Sequence, residues 1–234
     1  MYHHWLFDAV TKLTVMNPEA FPGLHYAVPE NVPVQMLDWF EAFGIEERRV
    51  VRTKIDVRTR FDRMILLPRL APGDVMIPQV LEKLRNVAAN SESRCPLSCD
   101  RVFITRSDAP TAFRQLLNER GIADELAALG YVALTPGNWP PLEQARIFAQ
   151  ADRIVAVHGS GAANVVFSSN DARVMHLQPV EAGGFNPHGL ASALRHQVFG
   201  YVFGETFSRD ARFHNVEWVI DWRAVRTAIE QHDF

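Results

Sequence analysis

Apolar residues recur along the chain with two spacings, one typical of helices and one typical of short buried strands. Near the start, Leu6, Val10 and Leu13 are spaced so that they share one face of a helix. Pro33 and Gly44 bracket a second helical segment, as expected for a helix start and stop. The elements predicted for residues 1–90 are helix 5–16, strand 25–28, helix 33–43, strands 49–52 and 63–67, and helix 77–88.

A polar stretch at residues 90–100, interrupted by Pro96, separates this region from the rest of the chain and is a candidate linker. Beyond it, short apolar runs alternate regularly with helical segments. The predicted elements are strand 101–105, helix 110–120, helical turns at 123–129, strand 131–134, helix 141–150, strand 153–157, helix 162–167, strand 173–177, helix 190–195, strand 198–202 and helix 221–231. This alternation predicts an α/β fold with a mainly parallel sheet covered on both faces.

Composition narrows the function classes. Hydrophobic residues make up 47% and charged residues 22% of the chain, as in ordinary globular proteins, and the net charge of −3 gives no reason to expect a nucleic-acid partner. No apolar run approaches the roughly 18 residues that span a bilayer, and the N-terminus lacks the features of a signal peptide, so we expect a cytoplasmic protein.

Cys95 and Cys99 are compatible with two free thiols, a disulfide or half of a metal site.

The predicted strand 153–157 runs directly into the turn His158-Gly159-Ser160-Gly161 and then into a helix. Small residues let the backbone approach a ligand, and the unpaired N–H groups at a helix start, up to that of Ala162, suit a diphosphate. An ordinary tight turn would have the same sequence features. Asn164 stands where the third glycine of a dinucleotide-binding fingerprint would lie, which argues against a nicotinamide-dependent oxidoreductase.

Two arginines are candidate phosphate ligands. Arg106 follows the predicted strand 101–105, at the strand end where doubly wound sheets bind ligands, and Arg114 lies on the next predicted helix. A guanidinium group in either place could bind a phosphate. Taken alone, the pattern favours a surface ion pair with Asp108 or Glu119 over a phosphate ligand.

At the N-terminus, His4 and Asp8 are four residues apart and share one helix face. Either group could accept a proton from a substrate hydroxyl, or both could be the solvated end of a helix whose Trp5 is in the core. No two aspartates are separated by a single residue, so the chain lacks a D-x-D motif and we expect no metal site.

Taken in order, these segments resemble glycosyltransferase family 61. YHHWLFDAVTKL is similar to its aromatic-His-Trp helix, VFITRSDAPTAFRQLLNE to its segment with two arginines and Asn-Glu, and LEQARIFAQADRIVAVHGSGAANVVF to its Gln-containing helix, strand and His-Gly-Ala-Gly turn. The resemblance implies a GT-B-like fold, in which two Rossmann-like domains face a cleft and the N-terminal one is short. We expect an acceptor-side domain over 1–90, a donor-binding domain over 100–205, and a segment 206–234 whose helix packs back on the first domain.

The chain departs from the family pattern in two places. Family members commonly have a longer N-terminal region, so we expect either a short member or an excised core. The strand after the Gly-rich helix usually ends in an acidic residue suited to the nucleotide ribose, and this chain has His176 there. We therefore expect the nucleoside end of the donor to be held differently.

The resemblance implies inverting transfer of a hexose or pentose from a nucleotide sugar to an acceptor hydroxyl, without an obligatory metal or another cofactor. Asp8 is the more direct candidate for the base, with His4 as the alternative. The groups expected to stabilise the leaving diphosphate are Arg106, Arg114, His158 and the amides of Gly159, Ser160, Gly161 and Ala162. Further donor-site candidates are Asn118, Glu143, Gln144, Asn164 and His176. Glu143 and Gln144 are equally compatible with a helix surface.

Bacterial relatives act in capsule or surface-polysaccharide synthesis, so a growing or lipid-linked glycan is the expected acceptor, and the expected location is the cytoplasm or the inner face of the membrane. Two alternatives come from other classes of protein. One is a non-catalytic nucleotide-sugar-binding subunit of a polysaccharide assembly complex. The other is an oxidoreductase or epimerase with a nicotinamide cofactor, which the missing third glycine disfavours.

Overall fold

The computed structural model describes residues 2–71, 76–91, 97–107, 114–180, 198–209 and 216–234. The predicted N-terminal helix is present over residues 2–13, and its middle changes to π geometry. It consists of α1 Tyr2–His4, a π-helical stretch Trp5–Val10 and α2 Thr11–Leu13. Leu6, Val10 and Leu13, which the spacing assigned to one face, are all buried.

The other described elements of the first region are β1 Tyr26–Pro29, a 3₁₀-helix Val34–Leu37, α3 Asp38–Ala42, a 3₁₀-helix Glu47–Arg49, β2 Val50–Thr53 and α4 Pro78–Asn90. Strands β1 and β2 pair in parallel. The predicted helices and the first two strands are thus confirmed. The predicted strand 63–67 is wrong: no strand forms there, and Met64, Ile65 and Leu66 are exposed. An apolar run becomes a strand only where a neighbouring strand supplies hydrogen bonds, and β2 pairs with β1 instead.

The second region contains β3 Arg101–Ile104, β4 Gln115–Leu116, α5 Glu119–Ala128, β5 Val132–Leu134, a 3₁₀-helix Pro136–Asn138, α6 Pro141–Gln150, β6 Arg153–Val157, a 3₁₀-helix Ser160–Phe167, β7 Arg173–Pro179, β8 Val198–Arg209, β9 Val216–Val219 and α7 Trp222–His232. The predicted α/β alternation is confirmed. Over residues 114–118 the predicted helix 110–120 is wrong, because β4 pairs there with β9. Three predicted segments lie outside the described residues: residues 108–113, residues 92–96 of the candidate linker, and the predicted helix 190–195.

Seven of the described strands form one sheet, in the order β4-β9-β8-β7-β6-β3-β5. Strands β5, β3, β6, β7 and β8 are parallel, whereas β9 runs antiparallel to β8. Numbered along the chain, the five parallel strands have the spatial order 2-1-3-4-5. In such a sheet the connections leave in opposite directions from a switch point, and ligands bind beyond the strand ends there. The switch point of this sheet lies between β3 and β6.

Alternating side chains of the strands build a core on each face of the sheet. On one face, Val102 and Ile154 share an apolar cluster with Leu6, Trp39 and Leu84 of the first region, so this region packs directly against the sheet. The opposite face is covered by α5 and α7. Across the part of the chain that the structure describes, no helix combines the length and apolar character that a bilayer crossing needs.

Helix α7 packs on the second region. Its buried residues Val225 and Ile229 belong to the same cluster as Phe103 and Val155 of the sheet. This differs from the expectation that the terminal helix packs back on the first region. The physical reason is that the face of the sheet opposite the first region is apolar and would otherwise be exposed, and an amphipathic helix covers it.

Candidate active site

Residues from two strand ends meet at the switch point. Arg106 follows β3 closely, and its Nη1 donates a hydrogen bond to the carbonyl oxygen of His158, 2.7 Å away at the end of β6. The backbone N–H of Arg106 donates to Glu119 Oε1 at 2.7 Å. Arg114 Nη1 lies 2.9 Å from His158 Nε2 and donates to it. The structure therefore gathers two guanidinium groups at the start of the Gly-rich 3₁₀-helix.

Arg114 has an unusual backbone conformation, with φ of 49° in the left-handed region. For a residue with a side chain this conformation costs on the order of 1–3 kcal/mol and persists where the surroundings enforce it. Trp218 Nε1 donates to the Arg114 carbonyl at 3.3 Å, and β4 begins at the next residue. The Arg114 backbone is thus held by a residue of the distant strand β9, while its side chain contacts His158.

Gly159 and Gly161 each allow a close approach. A Cβ added at Gly159 would overlap Nη1 of Arg106, so only glycine lets this guanidinium lie across the turn. A Cβ added at Gly161 would lie 3.0 Å from Pro136 Cγ and 3.3 Å from Ile104 Cγ2. The absence of a side chain at Gly159 thus leaves space for the Arg106 guanidinium. At Gly161 it lets the backbone pack against Pro136 and Ile104.

The amides of the turn are not equivalent. The Ala162 N–H donates to the Gly159 carbonyl at 3.1 Å, which begins the 3₁₀ pattern. The Ala162 amide, expected to contact the ligand, is therefore engaged inside the turn. The N–H groups of Ser160 and Gly161 precede it and have no intrahelical partner. Ser160 is exposed and Gly161 half-buried, so an anion could reach both amides from solvent.

His158 is uncharged at neutral pH. Its side chain is buried, with 1% of the residue exposed, and this burial, together with His176, Arg114 and Arg106, lowers its pKa to about 2. The neutral ring accepts the Arg114 hydrogen bond at Nε2. The low pKa gives no support to the expectation that His158 adds positive charge for the diphosphate. Its ring and its carbonyl position the two arginines.

His176 lies behind His158, inside the sheet. It is opposite Ala156 in β6 and Tyr201 in β8, and its ring centroid is 5.3 Å from that of His158. Burial lowers its pKa to about 3. His176 is a further donor-site candidate from the sequence, but only 1% of it is exposed, so its surface gives no support to a contact with the donor.

Two residues that were predicted to contact the nucleotide-sugar donor instead stabilise the Gly-rich turn. Asn164 Nδ2 donates to Gln144 Oε1 at 2.7 Å and to the Gly161 carbonyl at 3.1 Å, and Tyr2 Oη donates to Asn164 Oδ1 at 2.7 Å. Gln144 Nε2 donates to the Trp139 carbonyl at 2.7 Å. Asn164 and Gln144 are both buried, so neither lies on a helix surface. Through Tyr2, the same network attaches the N-terminal helix to the Gly-rich helix.

Arg85 of α4 holds the other end of the Gly-rich helix and was not predicted. Its Nε donates to the Val166 carbonyl at 2.6 Å, its Nη2 to the Ser168 carbonyl, and its Nη1 to Asn170 Oδ1 at 2.9 Å. These acceptors include carbonyls at the end of the 3₁₀-helix, which lack intrahelical donors. No local motif signals this contact, because its partners are about eighty residues away along the chain.

The remaining candidates differ in their surroundings. Asn118 Nδ2 donates to the Ile220 carbonyl at 2.8 Å, and the Ile220 N–H donates to Asn118 Oδ1 at 3.2 Å, so this amide anchors the end of β9. Glu143 is half-buried in the first turn of α6. Within the described ranges, the side chain of Glu143 takes part in no hydrogen bond or ion pair. Cys99 is buried, and Cys95 lies outside the described residues.

Three hydroxyl groups meet beside the switch point and were also missed. Thr105 Oγ1 is 2.9 Å from Thr135 Oγ1 and 3.2 Å from Ser107 Oγ, and Ser107 Oγ is 2.9 Å from Thr135 Oγ1. They lie just beyond β3 and β5, next to Arg106 and Pro136. Each hydroxyl can donate and accept, so the cluster suits polar groups of a ligand.

The N-terminal helix carries the other candidate group. His4 Nδ1 lies 3.1 Å from Asp8 Oδ2, and Arg69 Nε donates to Asp8 Oδ1 at 2.6 Å. The side chains of His4, Asp8 and Arg69 are 75%, 32% and 52% exposed. The predicted His4–Asp8 pair is thus present, with Arg69 as a third member that the sequence did not reveal. Among the described residues, no group of three His, Cys, Asp or Glu side chains could hold a metal ion.

A comparison of the sequence with known protein families finds a match. A family model described as Glycosyltransferase 61 matches residues 2–175, about three quarters of the chain. The matched range includes the N-terminal helix, Arg106, Arg114 and the whole Gly-rich turn. A sequence comparison with curated proteins finds no match.

Proposed function

Because the chain belongs to glycosyltransferase family 61, it is a glycosyltransferase, and we propose that it transfers a hexose or pentose with inversion at the anomeric carbon. In this reaction the acceptor oxygen bonds to the anomeric carbon, the bond to the diphosphate oxygen breaks, and a base takes the acceptor proton. The observation that carries the proposal is the convergence of Arg106 and Arg114 on His158 at the switch point.

The donor diphosphate is proposed to bind at the Gly-rich turn. Arg106 and Arg114 keep their charge at every physiological pH and offer several N–H donors each. The N–H groups of Ser160 and Gly161 add two donors at the positive end of the helix. These groups are fixed before the ligand arrives, so they can stabilise the charge that develops on the leaving diphosphate. Catalysis without a metal ion follows from this arrangement as a prediction.

His4 is proposed as the proton acceptor, with Asp8 as the residue that orients it. Both carboxylate oxygens of Asp8 already have partners, since one faces Arg69 and the other faces His4. When Asp8 accepts from the Nδ1–H of His4, Nε2 on the far side of the ring carries the lone pair, and the His4 side chain is largely exposed. The contacts therefore favour His4 over Asp8, which the sequence had placed first.

The first region is proposed to be the short acceptor-side half of a GT-B-like pair. Support comes from its parallel strands β1 and β2 and from the Tyr2–Asn164 hydrogen bond, which joins the helix carrying His4 to the Gly-rich helix. The acceptor is proposed to be a growing or lipid-linked glycan at the cytoplasmic face of the membrane, in surface-polysaccharide synthesis. This role rests on the family resemblance.

Thermal unfolding with UDP, GDP, dTDP and their sugar conjugates tests the proposal. A nucleotide that binds the folded state raises Tm, and Arg114→Ala should remove the increase while the protein remains folded. Turnover of the stabilising conjugate should persist in EDTA. The absence of any stabilisation would contradict donor binding, and stabilisation without transfer to any acceptor would favour a non-catalytic subunit. Loss of transfer in EDTA, restored by Mg²⁺, would contradict the metal-independent mechanism.

A further inference from the structure

One surface of the molecule is not explained by the transferase site. Thirteen consecutive residues, 54–66, are all exposed and form neither helix nor strand; we name them the basic segment. Its exposed large apolar side chains are Ile55, Val57, Phe61, Met64, Ile65 and Leu66. Exposed apolar residues that are close together, unlike scattered ones, mark surfaces that contact a partner or a membrane.

Positive charges alternate with these apolar side chains. The basic segment contains the four cations Lys54, Arg58, Arg60 and Arg63 and the two carboxylates Asp56 and Asp62, a formal charge of +2 in a chain of net charge −3. Within the described part of the chain, none of the four cations forms an ion pair. They therefore remain available to a negatively charged partner.

Two anchors hold the ends of the segment. Arg52, on strand β2, donates from Nη1 to the Glu30 carbonyl at 2.7 Å and to the Val32 carbonyl at 2.9 Å. Arg69 forms the ion pair with Asp8 described above. The basic segment thus projects from two fixed points, and its second anchor is a member of the His4–Asp8–Arg69 group.

We propose that the basic segment docks on an anionic lipid bilayer. A bilayer offers both kinds of contact at once, because the headgroup region attracts Lys and Arg while the acyl boundary accepts apolar side chains. A nucleic acid would satisfy the cations and leave six large apolar side chains in water. A second copy of the chain in a symmetric contact would place the same cations against one another.

Docking on this side would bring the bilayer close to the candidate base. Arg69 follows Leu66 by three residues and binds Asp8, the neighbour of His4. This consequence rests on the proposed function, because it places a lipid-linked acceptor near His4. The docking itself does not depend on that function and is measured without donor or acceptor.

Co-sedimentation with vesicles tests the docking, using phosphatidylcholine alone or with about a third phosphatidylglycerol. We expect the unaltered protein to bind the anionic vesicles and to be released by high salt. Arg58→Glu/Arg60→Glu should weaken binding about tenfold or more, whereas Lys83→Glu/Arg223→Glu, which changes two exposed cations elsewhere, should not. Leu66→Asp should weaken binding, and Val34→Asp, at a similarly exposed position, should not.

Several outcomes would overturn the docking proposal. These are no binding to anionic vesicles, equal binding to both vesicle types, or equal effects of segment and control substitutions. Self-association in light scattering without lipid, abolished by Leu66→Asp, would instead assign the surface to a second copy of the chain. Vesicle binding without glycosyl transfer would leave the docking proposal standing and contradict only the proposed function.

Discussion

The two halves of the candidate site, the Gly-rich turn and the N-terminal helix, are held in opposite ways. His158 at the turn is 1% exposed, and Arg106, Arg114 and its neighbours in the sheet surround it. The His4 side chain on the helix is 75% exposed, and its hydrogen-bond partner is Asp8. The difference fits their proposed tasks. Charge on a leaving group is best stabilised by donors fixed in advance, whereas a base must stay open to an acceptor that arrives from solvent.

The largest expected effect concerns the exposed half. His4→Ala should lower kcat by about 10² to 10⁴ and leave donor affinity unchanged, because a general base acts in the transition state. Asp8→Asn should lower kcat less, since it disturbs only the orientation of the ring. Steady-state kinetics with separate measurement of donor Kd checks both. A greater loss for Asp8→Asn would identify Asp8 as the base, and normal turnover of both variants would place the base elsewhere.

The two buried histidines, His158 and His176, should make the free energy of unfolding depend on pH. His158 and His176 have folded pKa values of about 2 and 3, below the unfolded value of about 6.5, so the unfolded state binds protons first as the pH falls. The stability contributed by the neutral rings is complete above pH 6.5 and is lost below it. From pH 7 to pH 5 we expect the unfolding free energy to fall by about 2 kcal/mol for each histidine.

Urea denaturation at pH 7 and pH 5 measures this change. His176→Gln should remove about half of the pH-dependent loss, whatever its effect on stability at pH 7. An undiminished loss in a His158→Gln/His176→Gln variant would show that other groups cause the acid sensitivity.

A smaller effect is expected from one added methyl group at the turn. Gly159→Ala would place a Cβ against Arg106 Nη1, so the guanidinium group has to move, and nucleoside diphosphate binding should weaken about tenfold. Gly121→Ala in α5 is the matched control, because no atom lies within 4 Å of its added Cβ. Calorimetric titration of both variants separates the two positions. Equal affinities would mean that the position of Arg106 does not matter for the ligand.

The smallest expected effect tests whether the charge or the planar shape of the Arg106 side chain determines diphosphate affinity. Arg106→Lys keeps the charge but replaces the planar guanidinium by one ammonium nitrogen, which cannot contact the His158 carbonyl and a phosphate from two different nitrogens. We expect diphosphate affinity to fall several-fold, up to about tenfold, in the same titration. Unchanged affinity would indicate that Arg106 only supports the His158 backbone.

Local features of the sequence predicted much of the fold. Strand β6 and helix α6 have the predicted bounds, because a buried apolar run and a helix opened by prolines are signals contained in a few adjacent residues. The predictions of a strand over 63–67 and of a helix over 114–118 are wrong because the structure at both places depends on pairing between strands. Among the described residues no strand pairs with the apolar run at 63–67, and Leu116 pairs with Trp218 of β9, about a hundred residues away.

The sequence by itself determined the α/β alternation, the Gly-rich turn after β6, and the residue types able to bind a diphosphate or accept a proton. These follow from spacing and local chemistry. Only the tertiary structure decided that His158 is neutral, that Asn164 and Gln144 brace the turn, and that Arg69 holds Asp8. The physical reason is that burial and hydrogen-bond partners are set by residues distant along the chain, which no short window of sequence contains.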